Sequence, residues 1–165
     1  MVGEQRRVLW EKMIRRCIEL AIEAASAGNY ALGALVARSS EILSESGSTL
    51  ILNGDDPSAH PEMVAVRASA KLLGSRHLPG TTLFSTLEPC PMCVSVAIWA
   101  KMDGVVFGAS QEDARQWVAK HPSDIYSWRM IDIPAAAIAS AGVPRLWVHG
   151  GILREECVAL FERSR

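Results

Sequence analysis

The most informative stretch of this chain is Thr86-Leu87-Glu88-Pro89-Cys90-Pro91-Met92-Cys93. It ends an apolar run of strand character, Thr82–Leu87, and then opens a run of helical character. Pro91 falls at the first helical position, where a missing N–H costs nothing. Cys90 and Cys93 are three residues apart, so both sulfurs face the same way on the first turn. The partial positive charge of a helix N-terminus favours their thiolate form.

A second junction of the same kind lies upstream, at Ser58-Ala59-His60-Pro61-Glu62. A proline again opens a helix, with His60 just before it and Glu62 just after it. Two helix N-termini would therefore bring two thiolates, an imidazole and a carboxylate to a common point. His60, Cys90 and Cys93 are good zinc ligands, and a site with three protein ligands keeps a position open for water, as catalytic zinc sites do. Glu62 is then the expected general acid and base beside that water.

Length and charge restrict the classes of protein that fit this chain. The chain has 165 residues, which predicts one domain over residues 1–165 with a substantial core. Its net charge is −1, so no global basic field attracts nucleic acid, and this counts against an RNA substrate. No uninterrupted apolar run is long enough to span a membrane, so no membrane partner is expected.

Cysteine usage bears on the cellular compartment. Two of the four cysteines form the C-x-x-C pair, and Cys17 and Cys157 lie on predicted helices, where a small apolar core residue is the expected role. This is not a disulfide framework, and it suits a reducing compartment. Residues 1–16 lack the apolar centre of a signal peptide. The prediction is a cytoplasmic location.

Hydrophobic periodicity and turn residues divide the chain into alternating strands and helices. The predicted strands are Gly33–Arg38, Ile42–Glu45, Thr82–Leu87, Gly104–Ala109 and Leu146–His149. The predicted helices are Val8–Ala27, Pro61–Leu73, Pro91–Ala100, Pro134–Ala141 and Leu153–Arg163. Residues 111–127 are expected to form a short helix followed by a loop. This order of elements implies crossover helices and a sheet with a parallel part.

With both motifs placed, the whole chain resembles the cytidine deaminase-like superfamily. His60-Pro61-Glu62 and Pro89-Cys90-Pro91-Met92-Cys93 resemble the H-x-E and P-C-x-x-C pair of zinc nucleobase deaminases. Leu32–Val36 and Val105–Ala109 extend the resemblance. It implies an α/β fold, namely a three-layer α/β/α sandwich around a central mixed five-stranded sheet. It also implies one Zn²⁺ per chain, a small heterocyclic substrate and assembly as a homodimer.

Two branches of the superfamily look closest. Bacterial guanine deaminases are similar over residues 93–100, notably at Trp99-Ala100, and at Asp124-Ile125-Tyr126. Transfer-RNA adenosine deaminases are similar at Val105–Ala109 and in the closing region 151–157. The resemblance therefore implies deamination and leaves the substrate open between these branches.

The expected substrate contacts also come from the resemblance. Backbone groups at Ala59 and Pro89 would lie next to the substrate, and Trp99 would either stack on its ring or fill the core. Both branches usually place an asparagine where this chain has Thr49. The acidic pocket residue of guanine deaminases is replaced here by His121-Pro122, so His121 is either a substrate contact or a solvated loop residue.

The function that these features favour is zinc-dependent hydrolytic deamination of an amino-substituted nucleobase-like ring, a free base or a nucleoside. Guanine or a related aminopurine is favoured, and a pyrimidine or triazine stays open. The alternative enzyme is a transfer-RNA adenosine deaminase. Two non-deaminase alternatives are a redox dithiol, suggested by C-x-x-C at a helix start, and a structural zinc module, which would need a fourth protein ligand.

Overall fold

The computed structural model describes residues 3–50, 54–122 and 130–164. Its helices are α1 (Glu4–Ser26), α2 (Pro61–Leu72), α3 (Pro91–Trp99), α4 (Gln111–Lys120), α5 (Ala135–Ala141) and α6 (Arg154–Ala159), with a closing 3₁₀ turn at Leu160–Ser164. Its strands are β1 (Gly33–Arg38), β2 (Glu41–Gly47), β3 (Thr82–Leu87), β4 (Gly104–Ala109) and β5 (Trp147–His149). Three predicted strands, β1, β3 and β4, have the bounds expected from the sequence.

The five strands form one mixed sheet in the order β2-β1-β3-β4-β5. Strand β1 runs antiparallel to both β2 and β3, whereas β3, β4 and β5 are parallel. The parallel part requires crossovers, which α3 supplies between β3 and β4, and the stretch containing α4 and α5 supplies between β4 and β5. The predicted mixed five-stranded sheet is confirmed.

Helices cover both faces of this sheet. One hydrophobic cluster joins α1, α4 and α6 to the sheet, and the other joins α2, α3 and α5 to the opposite face. Strand β3 shows the alternation directly, because Leu83 belongs to the second cluster and Phe84 to the first. The result is the expected three-layer α/β/α arrangement.

Helix α1 packs very close to the sheet at a glycine. A side chain at Gly33 would collide with the backbone carbonyl of Cys17. The close packing of α1 against the sheet therefore requires glycine at the start of β1. Cys17 and Cys157 are 0% and 1% exposed, as the core role predicted for them requires. All four cysteines are free thiols.

The ends of several elements differ from the sequence-based bounds. Helix α1 begins four residues early, at Glu4, where Arg7 and Glu11 form an i,i+4 ion pair on its exposed face. The predicted last helix is divided, because α6 ends at Ala159 and the chain tightens into the 3₁₀ turn. Among the helices in the described ranges, none has the length and apolar character needed to cross a membrane.

Candidate active site

The first half of the site lies where β3 ends and α3 begins. Cys90 is the N-cap of α3, with extended backbone angles, and Pro91 occupies the first helical position. The segment between strand and helix is anchored to the next strand, because the backbone N–H of Glu88 donates to the carbonyl of Ala109 at 2.8 Å. This anchor holds Cys90 and Cys93 at the carboxyl edge of the parallel strands.

The second half lies at the N-terminus of α2. His60 is the N-cap, Pro61 follows at the first helical position, and Glu62 lies in the first turn. The loop before it is shaped by Asp56, whose carboxylate accepts hydrogen bonds from the backbone N–H of Ser58 at 2.8 Å and from its hydroxyl at 2.6 Å. Such a turn fixes the path of the backbone into the helix.

The three predicted ligands meet at one point. The Nδ1 atom of His60 lies 3.7 Å from the sulfur of Cys90 and 3.7 Å from that of Cys93, and the two sulfurs are 3.6 Å apart. Tetrahedral zinc with ordinary bond lengths would separate two sulfurs by roughly 3.8 Å and a sulfur from a nitrogen by roughly 3.6 Å. The spacing of the donor atoms therefore fits zinc.

The protonation of this cluster also favours a cation. Cys93 lowers the pKa of Cys90 to about 4 by hydrogen bonding to its sulfur. The same contact and burial raise the pKa of Cys93. Cys90 likewise raises the pKa of His60. Two thiolates at this distance would repel each other. A divalent cation would allow both sulfurs to ionise.

Glu62 lies directly beside the ligands and is 5% exposed. One carboxylate oxygen, Oε1, accepts a hydrogen bond from the hydroxyl of Ser85 at 2.6 Å. The other, Oε2, lies 3.7 Å from the sulfur of Cys93. Burial raises the pKa of Glu62, and the Ser85 hydrogen bond partly opposes this. A buried carboxyl with a raised pKa beside a metal site is suited to taking up and returning a proton.

Two residues of this neighbourhood have no role in the sequence-based prediction. Ser85 is a polar residue within the apolar run Thr82–Leu87, which is its one signal in the sequence, and the structure buries it in β3. Glu88 accepts hydrogen bonds from the backbone N–H groups of Gln111 at 2.9 Å and Ala135 at 2.8 Å, so its carboxylate joins the starts of α4 and α5. No local pattern around Glu88 indicates these two hydrogen bonds.

The residues expected to contact the substrate lie at different places in the structure. Ala59 and Pro89 directly precede the ligands His60 and Cys90, so their backbone groups flank the cluster. Thr49 is half-buried in the loop after β2. Roles for these three residues in substrate binding stay predictions. Asp124-Ile125-Tyr126, the stretch similar to guanine deaminases, lies outside the described residues.

Trp99 and His121 lie in surroundings that the sequence did not indicate. Trp99 is 80% exposed at the C-terminal end of α3, so the alternative of a core aromatic is wrong. Six residues after Cys93, it lies about 9 Å further along the helix axis. The ring of His121 stacks on Trp117 with centroids 4.3 Å apart, and its Nε2 lies 3.6 Å from a carboxylate oxygen of Glu162. Substrate contact by either side chain stays a prediction.

The two non-deaminase alternatives explain this geometry poorly. A redox dithiol has no use for the buried Glu62 or for an imidazole equidistant from both sulfurs. A closed structural zinc site needs a fourth ligand, but the donor group found in the described ranges contains only His60, Cys90 and Cys93. Cys17 lies in the hydrophobic cluster on the other face of the sheet.

Comparison with known proteins agrees with this geometry. The model of the cytidine and deoxycytidylate deaminase zinc-binding region matches residues 9–109. Guanine deaminase of Bacillus subtilis (strain 168) is 32% identical over 126 residues, 76% of this chain and 78% of that protein. The tRNA-specific adenosine deaminase of Haemophilus influenzae is 37% identical over 100 residues, 61% of this chain and 58% of that protein.

Solved structures share the fold. Guanine deaminase from Nitrosomonas europaea matches with a TM-score of 0.71 and 22% identity, over 93% of this chain and 83% of that one. The guanine deaminase structure from Bacillus subtilis matches with a TM-score of 0.61 and 28% identity, over 74% of this chain and 84% of that one. These matches confirm the predicted fold class. The chain belongs to the family defined by the cytidine and deoxycytidylate deaminase zinc-binding region, and zinc is the metal that His60, Cys90 and Cys93 are positioned to bind.

Proposed function

We propose that this protein is a hydrolytic deaminase that replaces the amino group of a small nucleobase-like ring with oxygen and releases ammonia. The observation that carries the proposal is the position of Glu62, buried with one oxygen 3.7 Å from the sulfur of Cys93. Zinc held by His60, Cys90 and Cys93 would activate water for attack on the carbon that bears the amine.

The chain's own contribution is proton transfer and positioning. Glu62 takes a proton from the attacking water and delivers it to the adjacent ring nitrogen. The same carboxyl then takes the second proton of that water from the new hydroxyl, as it becomes a carbonyl, and passes it to the departing amine, so that one water is consumed and one ammonia leaves. A group that gives and takes protons in turn works best with a pKa near the working pH, and burial shifts Glu62 in that direction.

We favour a free base over a transfer RNA as substrate, with guanine or another aminopurine first. Guanine deaminase of Bacillus subtilis is 32% identical over 78% of its own length, whereas a tRNA-specific adenosine deaminase covered to a similar extent, 77%, is 27% identical. The net charge of −1 also supplies little attraction for a polyanion. Because Thr49 stands in place of the usual asparagine, a pyrimidine or a triazine stays open as the substrate.

Ammonia release by the zinc-loaded protein tests this proposal. The panel holds guanine, adenine, cytosine, their nucleosides, aminated triazines and an anticodon stem-loop RNA, with Glu62→Ala as the control for contaminating activity. Turnover of a free ring or nucleoside supports the proposal. Turnover of the RNA alone overturns the substrate assignment, and no turnover of any compound overturns the deaminase assignment.

The transfer-RNA alternative has one specific observation in its favour, which is 37% identity to a tRNA-specific adenosine deaminase over 100 residues. It predicts activity that falls steeply with salt, because phosphate contacts release counterions. Activity on a free base would change little over the same range. A salt titration of the rate therefore separates the two substrates.

We also infer that a second copy of this chain covers an exposed apolar surface around α3 and α5. Trp99 is 80% exposed and Val143 is 92% exposed. The groove between them carries no charged side chain, as is typical of the core of a homodimer interface. The lining residues are Ser95, Ile98, Trp99, Ile138, Ala141, Gly142 and Val143. A cytoplasmic location stays a prediction, supported by the four free thiols.

A further inference from the structure

Ser85 carries a buried hydroxyl on β3 that hydrogen-bonds to the proposed acid and base, Glu62. Ser85 is 1% exposed, and its Oγ donates to Oε1 of Glu62 at 2.6 Å. The two residues are 23 positions apart in sequence, so the hydrogen bond links β3 to the start of α2. The Glu62 carboxylate hydrogen-bonds through Oε1 to Ser85 and through Oε2 to the sulfur of Cys93.

The position of Ser85 in the strand explains this contact. Side chains alternate along β3, so Ser85 points to the same face as Leu83, which packs in the cluster with α2 and α3. Its neighbour Thr86 points to the opposite face, where its hydroxyl accepts the backbone N–H of Gly33 at 3.2 Å. Two adjacent buried hydroxyls therefore serve different faces of the sheet.

The contact matters because the last torsion of a glutamate side chain is soft. Rotation about that bond is broad and roughly two-fold, so packing alone selects the carboxylate plane poorly. A hydrogen bond to Oε1 holds that oxygen against the strand. The plane of the carboxylate then turns Oε2 toward the sulfur of Cys93, 3.7 Å away. Since β3 ends only three residues before Cys90, one strand locates both the carboxylate and two of the ligands.

We propose that Ser85 is a positioning residue that orients Glu62, so that Oε2 faces the metal centre and the reacting water. This inference rests on the proposed deaminase function. Ser85 would touch neither substrate nor metal, and it would act through the carboxylate alone. A hydroxyl at this position is sufficient, so threonine should replace serine and alanine should not.

Three variants test this role in the zinc-loaded protein. Ser85→Ala should lower kcat by roughly 10- to 100-fold, as expected for loss of a residue that orients active-site groups, with KM and zinc stoichiometry unchanged. Ser85→Thr should stay within about threefold of the wild-type kcat, since it keeps the hydroxyl that makes the hydrogen bond. Thr86→Val is the matched control, because it removes an adjacent buried hydroxyl on the other face and should leave kcat unchanged while lowering the melting temperature.

Two measurements do not depend on activity. Cobalt-substituted Ser85→Ala should keep the wild-type absorption spectrum, because the three ligands are intact. A crystal structure of that variant should show the Glu62 carboxylate rotated or in two conformers. A wild-type kcat for Ser85→Ala, an equal loss in Ser85→Thr, or a Glu62 carboxylate that does not move would overturn the inference. If the wild type deaminates nothing, the proposed function fails, and the crystal structure alone still tests the orientation of Glu62.

Discussion

The carboxylate of Glu88 accepts the backbone N–H of Ala135, 47 residues later in the chain, at 2.8 Å. Its other oxygen accepts the N–H of Gln111 at 2.9 Å. One side chain next to the metal motif thus satisfies the first free N–H groups of two helices, α4 and α5. A carboxylate is suited to this role, because it offers two acceptor oxygens and complements the positive ends of both helices.

Glu88→Gln should destabilise the fold. The amide keeps one acceptor oxygen but turns an NH₂ group toward the second helix start, which leaves an N–H unsatisfied. The expected loss is about 1 to 2 kcal/mol of unfolding free energy, which is the usual worth of a lost helix cap. Urea unfolding measures it. Glu41→Gln, the same change at an exposed position of β2, should have little effect, and equal losses in both variants would contradict the bridging role.

Glu62→Gln and Glu62→Ala should keep zinc and lose turnover. Loss of a general acid and base costs roughly 10²- to 10⁴-fold in rate, and the amide keeps the shape of the side chain without its proton chemistry. Metal analysis and ammonia release on the same preparation make the comparison. If the glutamine variant turned over substrate as fast as the wild type, Glu62 would not be the proton carrier.

Cys93→Ser should abolish stoichiometric zinc binding, whereas Cys157→Ala should retain one zinc per chain. Both residues are buried cysteines, but only Cys93 lies with His60 and Cys90. A chelator should lower the melting temperature of the wild type, because metal binding stabilises the folded state, and should shift Cys93→Ser much less. Zinc content by elemental analysis and thermal unfolding check these expectations. Equal zinc content in the two variants would refute the ligand set.

Glu45 should contribute stability that depends on pH. Hydrogen bonds from Arg16 lower the pKa of Glu45 below its ordinary value of 4.5. A lowered folded-state pKa means that the stabilisation is present above pH 4.5 and is lost as the pH falls through the folded pKa. The pair is partly exposed, so solvent screening leaves about 0.5 kcal/mol. Urea unfolding at pH 7 and pH 3 should show that Glu45→Gln is less stable than wild type at pH 7 and that this difference is smaller at pH 3. An equally large difference at pH 3 and pH 7 would argue against the ion pair as its cause.

Trp99→Glu should convert the proposed homodimer to monomers, because it places a charge at the centre of an apolar surface. Sedimentation equilibrium of the wild type and the variant measures the mass directly. Val8→Glu changes an exposed apolar residue of α1, on the other side of the sheet, and should leave the dimer intact. A monomeric wild type would remove the basis for this surface as a self-association site.

The two metal motifs and three of the strands could be predicted from the sequence, because they depend on residues close together in the chain. The two motifs can be recognised from residues a few positions apart. A proline starts each helix, and a spacing of three residues places both cysteines on the same side of one helical turn. Strands β1, β3 and β4 were predicted with the bounds that the structure shows, because turn residues or polar breaks flank each apolar run. The family resemblance added the number of strands and the mixed sheet.

Tertiary structure decided what depends on residues far apart in the chain. The hydrogen bond from Ser85 to Glu62 and the bridge from Glu88 to Ala135 join elements whose approach follows from strand order and helix packing. The exposure of Trp99 has the same origin, because a short apolar helix does not reveal which of its sides the sheet will cover. The motifs thus determined the zinc ligands through local sequence. The packing of the sheet determined the orientation of the Glu62 carboxylate, the proposed acid and base.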